Sequence, residues 1–326
     1  VAHMNQYYFN DELNIKDITE KSVDFIVITH PDQDHTIGIK KVLENFSVKK
    51  IYMNRPWKYV DDLFDKINDG RITKESLARR LREKYKTIAD IEDMAKEKNI
   101  PIYEAFEGTH IEDELLILSP EKQYYLSLLV SSEKTPLEMS SALQHDGTLL
   151  KFLASVKDFA LNILETWDIE TLRESETTSA ENETSVILRG KVDGSGFILT
   201  GDAGIGSLNR AIDYMEKIGE NIVEDISFYQ VPHHGGRHNV SPSVLNRMLG
   251  EKIEKGNSRN KVAFASVAQN SSHPLKMVTN AYIRRGVTVY KTNGNVICHH
   301  NGKMPDRRWV GLKSIEFSDY VEEWSN

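Results

Sequence analysis

The sequence has one cysteine, no long apolar run and fewer basic than acidic residues, and each of these features argues against a class of protein. It has one cysteine, Cys298, which excludes internal disulfides and cysteine-only metal clusters. A single cysteine fits a reducing compartment, so we expect a cytoplasmic protein. Cys298 itself is expected to be a small core residue at the end of a strand.

The lack of long apolar runs argues against a membrane protein. No window approaches the roughly 18 consecutive apolar residues of a membrane-spanning helix, and no charged-then-apolar leader opens the chain. The net charge is −8 over 326 residues. This balance argues against a broad basic nucleic-acid surface, because affinity for the phosphate backbone comes mostly from Lys and Arg. It remains compatible with a local basic groove, and with an acidic pocket that holds cations.

Short apolar runs alternate with helical patterns, which is typical of an α/β fold. Strands are expected at 24–29, 49–53, 102–106 and 115–118, a helix at 36–46, and a largely helical region over 121–170 that includes 126–130 and 149–164. A β-hairpin is expected between 184–190 and 196–200, because Asp193-Gly194 is a strong turn signal. The later elements alternate in the same way: helix 207–219, strand 226–231, helix 241–249, strand 261–267, helix 274–285 and strand 287–291.

Two segments differ from this pattern. Residues 56–100 are dominated by charged residues at helical spacing, with an apolar stripe formed by Leu77, Leu81, Tyr85 and Ile88. The basic face at 79–86 is of a kind that is usually only solvated, although it could contact substrate phosphates. Residues 170–183 are polar and turn-rich, which predicts an exposed loop.

Four potential metal ligands follow the first strand within six residues. They are His30, Asp32, Asp34 and His35. Helix spacing would scatter these side chains, whereas a tight loop can direct them to one point. Histidine nitrogen and carboxylate oxygen are both accepted by divalent cations. The sequence therefore favours a metal-binding loop over a polar surface turn.

Asp202 follows the apolar strand residues 197–199. A lone Gly-Asp is usually a turn. At the carboxyl end of a strand, however, an aspartate lies where ligands bind in open α/β sheets.

Two further segments carry histidines after strands. His233 and His234 are adjacent and precede two glycines, so their side chains point in different directions and the backbone can approach a ligand closely. One histidine can then bind metal while the other faces substrate. The polar loop within 266–274 carries Asn270 and His273, where an isolated histidine is more often only hydrogen-bonded.

The order of these segments resembles the metallo-β-lactamase superfamily. It is most similar to the C-terminal hydrolase domain of the ComEC DNA-uptake proteins and their stand-alone relatives. The shared segments are 29–35, 182–188, 199–202, 232–235, 266–274 and the turn 292–294. The resemblance implies an α/β fold, the αββα sandwich, with 1–55 and 176–326 as the hydrolase domain. Residues 56–175 would then be a largely helical insertion or lid, with part of the sheet near 102–118.

The resemblance also implies two divalent metal ions, Zn²⁺ or Mn²⁺, with a hydroxide between them as nucleophile. His30 and Asp32 would bind the first ion. Asp34, His35 and His233 would bind the second, and Asp202 would bridge both. The implied catalytic residues are Asp34, His234 and His273, the two histidines stabilising or protonating the leaving oxygen. The residues expected to brace these loops or contact substrate are Glu181, Asn182, Ser185 and Asn270.

The chain departs from the superfamily pattern in two places besides the insertion. Most members carry a further metal-binding histidine just before the strand that leads to Asp202, where this chain offers Glu181. Either Glu181 replaces that histidine or the first metal site is weak, and an oxygen-rich ligand set favours Mn²⁺ alongside Zn²⁺. Residues 1–23 are too few and too polar for the β-hairpin with which the superfamily begins. We therefore expect either an incomplete sheet or further residues before Val1.

Hydrolysis of a phosphodiester, in a nucleic acid or a nucleotide, is the leading hypothesis. Two metals can hold the attacking and leaving oxygens in line, and the 79–86 helix with Arg284 and Arg285 could contact phosphates. One alternative is hydrolysis of a lactone, thioester or β-lactam. The other is a non-catalytic interaction protein that binds a protein partner through 56–175.

Overall fold

The computed structural model describes residues 21–64, 73–132, 162–192, 194–300 and 310–324. These residues belong to two compact units, Val1–Phe106 with Pro120–Leu137 and Glu107–Ser119 with Glu138–Asn326. Each unit has its own hydrophobic core. Among the described residues, no helix is both long and apolar enough to cross a bilayer.

The first unit consists of short parallel strands and helices. Strand β1 pairs with β3, and β4 lies between β2 and β5. The strands are β1 (Ser22–Val23), β2 (Ile26–Val27), β3 (Ser47–Val48), β4 (Ile51–Tyr52) and β5 (Ile102–Tyr103). The helices are α1 (Gln33–Asn45), α2 (Val60–Phe64), α3 (Lys74–Lys84), α4 (Lys86–Glu97) and α5 (Lys122–Ser131), with a 3-10 turn at Pro56–Tyr59.

The apolar stripe predicted for 77–88 is confirmed as part of the core of the first unit. Leu77, Leu81, Tyr85 and Ile88 are all buried. The stripe spans two helices rather than one, because Tyr85 leaves the helical region, with φ −98° and ψ 45°, and separates α3 from α4.

The second unit is built on a seven-stranded mixed sheet in the order β13-β12-β11-β10-β9-β7-β6. Its strands are β6 (His110–Ile111), β7 (Leu115–Ser119), β8 (Asn162–Leu164), β9 (Ile187–Val192), β10 (Ser195–Leu199), β11 (Ile226–Gln230), β12 (Lys261–Ala265), β13 (Val287–Lys291) and β14 (Tyr320–Glu322). Its helices are α6 (Ala180–Glu183), α7 (Ile205–Lys217), α8 (Ile222–Asp225), α9 (Pro242–Leu249) and α10 (Lys276–Arg284), with a 3-10 turn at Pro232–Gly235. Strands β8 and β14 pair separately and antiparallel.

One face of the seven-stranded sheet is buried against helices, and the other face carries half-buried aromatic side chains. Ile198, Tyr229, Ala263 and Val289 are buried on one face with α7, α9 and α10. Their sequence neighbours point to the opposite face because side chains alternate along a strand. There Phe228, Phe264 and Tyr290 are half-buried and meet edge to face, with centroid distances of 5.0 and 5.9 Å. The α/β class and the predicted hairpin, now β9 and β10, are confirmed.

Of three predictions about single segments, two are wrong and that for 170–183 holds only in part. Residues 162–164, the end of a predicted helix at 149–164, form strand β8 because they pair with β14, and 149–161 lie outside the described residues. The predicted exposed loop at 170–183 contains buried side chains and ends in the helical turn α6. Cys298 is exposed and fills no core position.

Arg284 and Arg285 do not act as phosphate contacts. Both are completely buried, Arg284 pairs with Glu165 at 2.7 Å, and Arg285 pairs with Glu170 at 2.9 Å. Burying an unpaired charge is costly, so these carboxylates explain how two adjacent arginines stay inside the unit. The Arg285 and Lys252 cations also keep the pKa of Glu170 below its usual value although burial acts to raise it.

Candidate metal centre

The loop between β2 and α1 brings His30, Asp32, Asp34 and His35 together in the first unit. The imidazole rings of His30 and His35 lie 4.3 Å apart between centroids. His30 Nε2 lies 3.9 Å from Asp32 Oδ2, and His35 Nε2 lies 3.5 Å from Asp34 Oδ2. Each histidine of this loop therefore lies close to a carboxylate of the same loop.

Local hydrogen bonds turn the chain from the strand into the helix at this loop. The Thr36 hydroxyl donates to the Asp32 carbonyl at 2.9 Å, and the His35 amide donates to the same carbonyl at 3.2 Å. His30 is 3% exposed because it follows directly on the buried strand residues. Asp34, in the first turn of α1, is exposed.

Asp202 lies in the second unit and is held in place by backbone contacts. Its amide donates to Ser185 Oγ at 3.1 Å. The side chain of Gln230 accepts from the amides of Thr200 and Gly201 at 3.0 and 3.1 Å. Asp202 itself is 3% exposed, and these contacts hold its backbone in place.

His233 is oriented toward Asp202 by an asparagine that the sequence motifs did not single out. Asn239 Nδ2 donates to the carbonyls of Asp202 and Ala203 at 2.9 and 3.2 Å, which turns its Oδ1 to His233 Nδ1 at 2.9 Å. Because an amide oxygen only accepts, Nδ1 of His233 carries the proton. The lone pair is then on Nε2, which lies 3.7 Å from Asp202 Oδ2.

The backbone at the two histidines is strained. His233 has φ 46° and ψ 52°, and His234 has φ 58° and ψ 9°, a left-handed region that costs energy for residues other than glycine. The following loop also needs Gly235, because a Cβ there would lie 2.4 Å from Pro274 Cβ. These constraints direct the two imidazoles apart and bring their loop against the segment that carries His273.

His234 and His273 complete the histidine cluster of the second unit. His234 Nδ1 lies 2.5 Å from the carbonyl of Ser266, so Nδ1 donates and Nε2 carries the lone pair. Burial lowers the pKa of His273, and a positive charge on His233 or His234 would lower it further. In its neutral form the His273 imidazole can donate one hydrogen bond and accept another.

Of the residues expected to brace these loops, Asn182 and Ser185 lie beside the cluster. Asn182 Nδ2 lies 3.2 Å from His233 Nδ1 and donates to Thr178 Oγ1 at 2.7 Å, while Ser185 binds the Asp202 amide. Glu181 is buried on the same helical turn, α6. Asn270 is exposed and has a φ of 62°. The predicted roles of these four residues in bracing loops or contacting substrate stay predictions.

Sequence reasoning missed Asn239, Gln230 and Glu183. Gln230, for example, contacts Thr200, which lies 30 residues earlier in the chain. No local sequence pattern indicates a contact between residues so far apart. Asn239 had one weak signal, because it follows the histidine pair closely and precedes the helix start at Ser241-Pro242. The structure therefore presents two clusters, one in each unit, made of imidazole nitrogens and carboxylate oxygens.

Comparison with known proteins bears on the first cluster. The sequence model of the metallo-beta-lactamase superfamily, Lactamase_B, matches residues 4–101. No curated protein matches the chain. The matched stretch contains His30–His35 and is similar to the metallo-beta-lactamase superfamily, whose members are mostly metal-dependent hydrolases.

Proposed function

We propose that the protein is a divalent-metal-dependent hydrolase that binds two ions, and that its substrate is a phosphodiester. The observation that carries the proposal is the pairing of each of three histidines with a carboxylate. The Nε2–Oδ2 distances are 3.9 Å in His30–Asp32, 3.5 Å in His35–Asp34 and 3.7 Å in His233–Asp202. They exceed the about 2.7–3.2 Å of an N–H···O hydrogen bond.

Such pairs fit the ligands of a divalent ion. Each ligand atom lies about 2 Å from a bound ion, so two ligands of one ion are at most about 4 Å apart. The contact of His233 Nδ1 with Asn239 is also of the kind that orients metal-binding histidines, since it leaves Nε2 as the ligand atom. Nitrogen and oxygen donors of this mixture suit both Zn²⁺ and Mn²⁺.

Each residue then has a defined role. His30 and Asp32 would hold one ion, Asp34, His35 and His233 the other, and Asp202 both, with Glu181 as a further oxygen ligand. Bound divalent ions supply Lewis acidity and lower the pKa of water. His234 Nε2 and the His273 imidazole are available to bind the leaving oxygen, because the Nδ1 of His234 is held by the Ser266 carbonyl.

The substrate class depends on the ComEC-like order of the motifs. The buried Arg284 and Arg285 do not support a phosphodiester substrate. Part of the basic face at 79–86 is already paired with acidic side chains, because Arg82 bonds to Glu92 and Asp93. Fewer phosphate contacts favour a nucleotide or a short single strand over a long duplex, because duplex affinity requires many neutralised phosphates.

Hydrolysis assays after metal removal and reloading test the proposal. Chelated protein reloaded with Mn²⁺ or Zn²⁺ should hydrolyse bis-p-nitrophenyl phosphate, and Asp202→Ala should abolish this. The control is Asp213→Ala, an exposed aspartate on α7 that pairs with Arg247 and should leave the rate unchanged.

The outcomes separate the alternatives. Phosphodiester hydrolysis that persists in Asp202→Ala contradicts the metal mechanism. Hydrolysis of a lactone panel without phosphodiester hydrolysis contradicts the substrate class alone. A reloaded protein that binds metal and hydrolyses none of these substrates favours an interaction protein.

A further inference from the structure

Glu183 connects the segment that braces the histidine cluster to the helix that follows Asp202. It is the last residue of α6 and lies directly after Asn182. Its carboxylate accepts from the amide of Gly206 at 3.2 Å and from the amide of Ser207 at 2.8 Å, and it also accepts from the Ser207 hydroxyl at 2.6 Å. Gly206 and Ser207 are in the first turn of α7.

This carboxylate takes the place of a local helix cap. The first amides of a helix have no partner within the helix and form the positive end of its dipole. The residue before α7 is Gly204, which has no side chain to cap it. Glu183, more than 20 residues earlier, satisfies two of these amides and supplies the negative charge that the dipole favours.

A side chain at position 204 would occupy the space of the Glu183 carboxylate, so glycine is required there. Its φ of −94° and ψ of −175° are open to any residue, so backbone conformation does not demand glycine. A Cβ at this position would lie 2.3 Å from Glu183 Oε1 and 2.6 Å from Thr178 Cγ2. An alanine here would therefore displace the carboxylate from the start of α7.

Two residues close to Glu183 in the chain, Asn182 and Ser185, lie next to His233 and Asp202. Asn182 Nδ2 lies 3.2 Å from His233 Nδ1, and Ser185 Oγ accepts from the Asp202 amide. Asp202 is thus fixed on one side by Ser185 and on the other by the start of α7, which Glu183 holds. We propose that Glu183 is a positioning residue that sets the carboxylate of Asp202 for metal binding. This inference rests on the proposed function, in that it takes Asp202 as a metal ligand.

The chain offers a matched control at another helix. Glu174 accepts from the amide of Ser243 at 3.2 and 3.3 Å, in the first turn of α9. That helix also has a local cap, because Ser241 Oγ accepts from the Val244 amide. Replacing Glu174 therefore removes a remote carboxylate of the same kind without loosening Asp202.

The test compares E183Q, G204A, the double variant and E174Q as full chains. Affinity for Mn²⁺ is measured by competition with a chelator, the visible spectrum is recorded with Co²⁺, and the melting temperature is measured without metal. E183Q and G204A should each weaken Mn²⁺ binding by about tenfold or more, as loss of supporting contacts to metal ligands does. The double variant should bind Mn²⁺ no more weakly than either single variant, because both substitutions disrupt the same contact between Glu183 and the start of α7.

The spectrum separates positioning from stability. The Co²⁺ bands should shift in E183Q and G204A and stay as in the wild type in E174Q. A lower melting temperature with wild-type affinity and spectrum in both variants overturns the positioning role and leaves Glu183 as a helix cap. Wild-type protein that takes up neither ion contradicts the proposed function, and the positioning role falls with it.

Discussion

At the scale of single residues, orientation of the ligand atoms depends on side chains that bind no metal. Asn239 is the clearest case, because one amide group fixes both the tautomer of His233 and the backbone of Asp202. The orientation of the Asn239 side-chain amide is defined, because its nitrogen donates to carbonyls and its oxygen therefore faces the imidazole of His233. The two ligands consequently share one support.

Removal of that support should weaken metal binding. In Asn239→Ala, His233 loses the acceptor for its Nδ1 proton, and we expect about a 10- to 100-fold loss of metal affinity. Competition titration with a chelator measures it. Asn209→Ala is the control, because Asn209 bonds to Arg247 on the surface. Equal affinities in the wild type and Asn239→Ala would show that Asn239 does not orient the ligand.

Lys261 gives a pH-dependent prediction at the same scale. Its ammonium group is buried and donates to the carbonyls of Val223 and Ile226, and burial lowers its pKa from 10.5 to about 8. Below pH 8 the lysine is charged in the folded and unfolded states, and the cost of burying the charge is fully present. Between pH 8 and 10.5 the folded state loses the proton first, so stability rises with pH.

The comparison is with Lys261→Met, which keeps an unbranched side chain one atom shorter and removes the charge. The free energy of unfolding of the wild type minus that of the variant, from urea titrations, should increase from pH 8 to pH 10.5. A difference that stays constant or decreases over this range would mean that the pKa of Lys261 is not lowered.

At the scale of elements, buried ion pairs attach the 162–172 segment to α10. Glu165 accepts from Arg284 Nη1 and from Asn280 Nδ2 at 2.7 and 2.8 Å, and both charged side chains are completely buried. The Arg284 guanidinium also donates to the carbonyls of Thr166, Trp167 and Ile169. The arginine thus holds a segment more than 100 residues away along the chain.

Breaking this pair should be strongly destabilising. Glu165→Ala leaves a buried guanidinium without its carboxylate, so we expect a loss of about 3–5 kcal/mol in the free energy of unfolding. Glu216→Ala, which removes an exposed partner of Arg247, should cost about 0–1 kcal/mol. Urea unfolding measures both. A Glu165→Ala protein of wild-type stability would contradict the structural role given to Arg284.

The elements of the second unit show what the sequence could and could not predict. Strand β13 occupies 287–291, as predicted, and the β9–β10 hairpin forms around Gly194, because periodicity and turn residues act over short distances. The roles of Arg284 and Glu170 were misjudged because polar residues were assumed to be exposed. Their burial depends on partners 115 or more residues apart, which no local pattern contains.

At the scale of the whole molecule, the proposed activity depends on segments that lie far apart in the sequence, the His30–His35 loop, Asp202 and the histidines that follow β11. The positions of these histidines and aspartates after strands were predictable, since the loops follow short apolar runs. The contacts that orient them, from Asn239, Gln230 and Glu183, were not, because they join distant loops. The excess of acidic residues is consistent with cation binding and disfavours a duplex substrate.

Metal content is the most direct test of the central claim. Protein loaded with Mn²⁺ or Zn²⁺, freed of excess by gel filtration and analysed by inductively coupled plasma mass spectrometry, should carry two ions per chain. Asp202→Ala should lose at least one of them, because Asp202 is proposed to bind both ions, and Asp213→Ala should keep both. Wild-type protein that holds close to no metal after this loading would contradict the account.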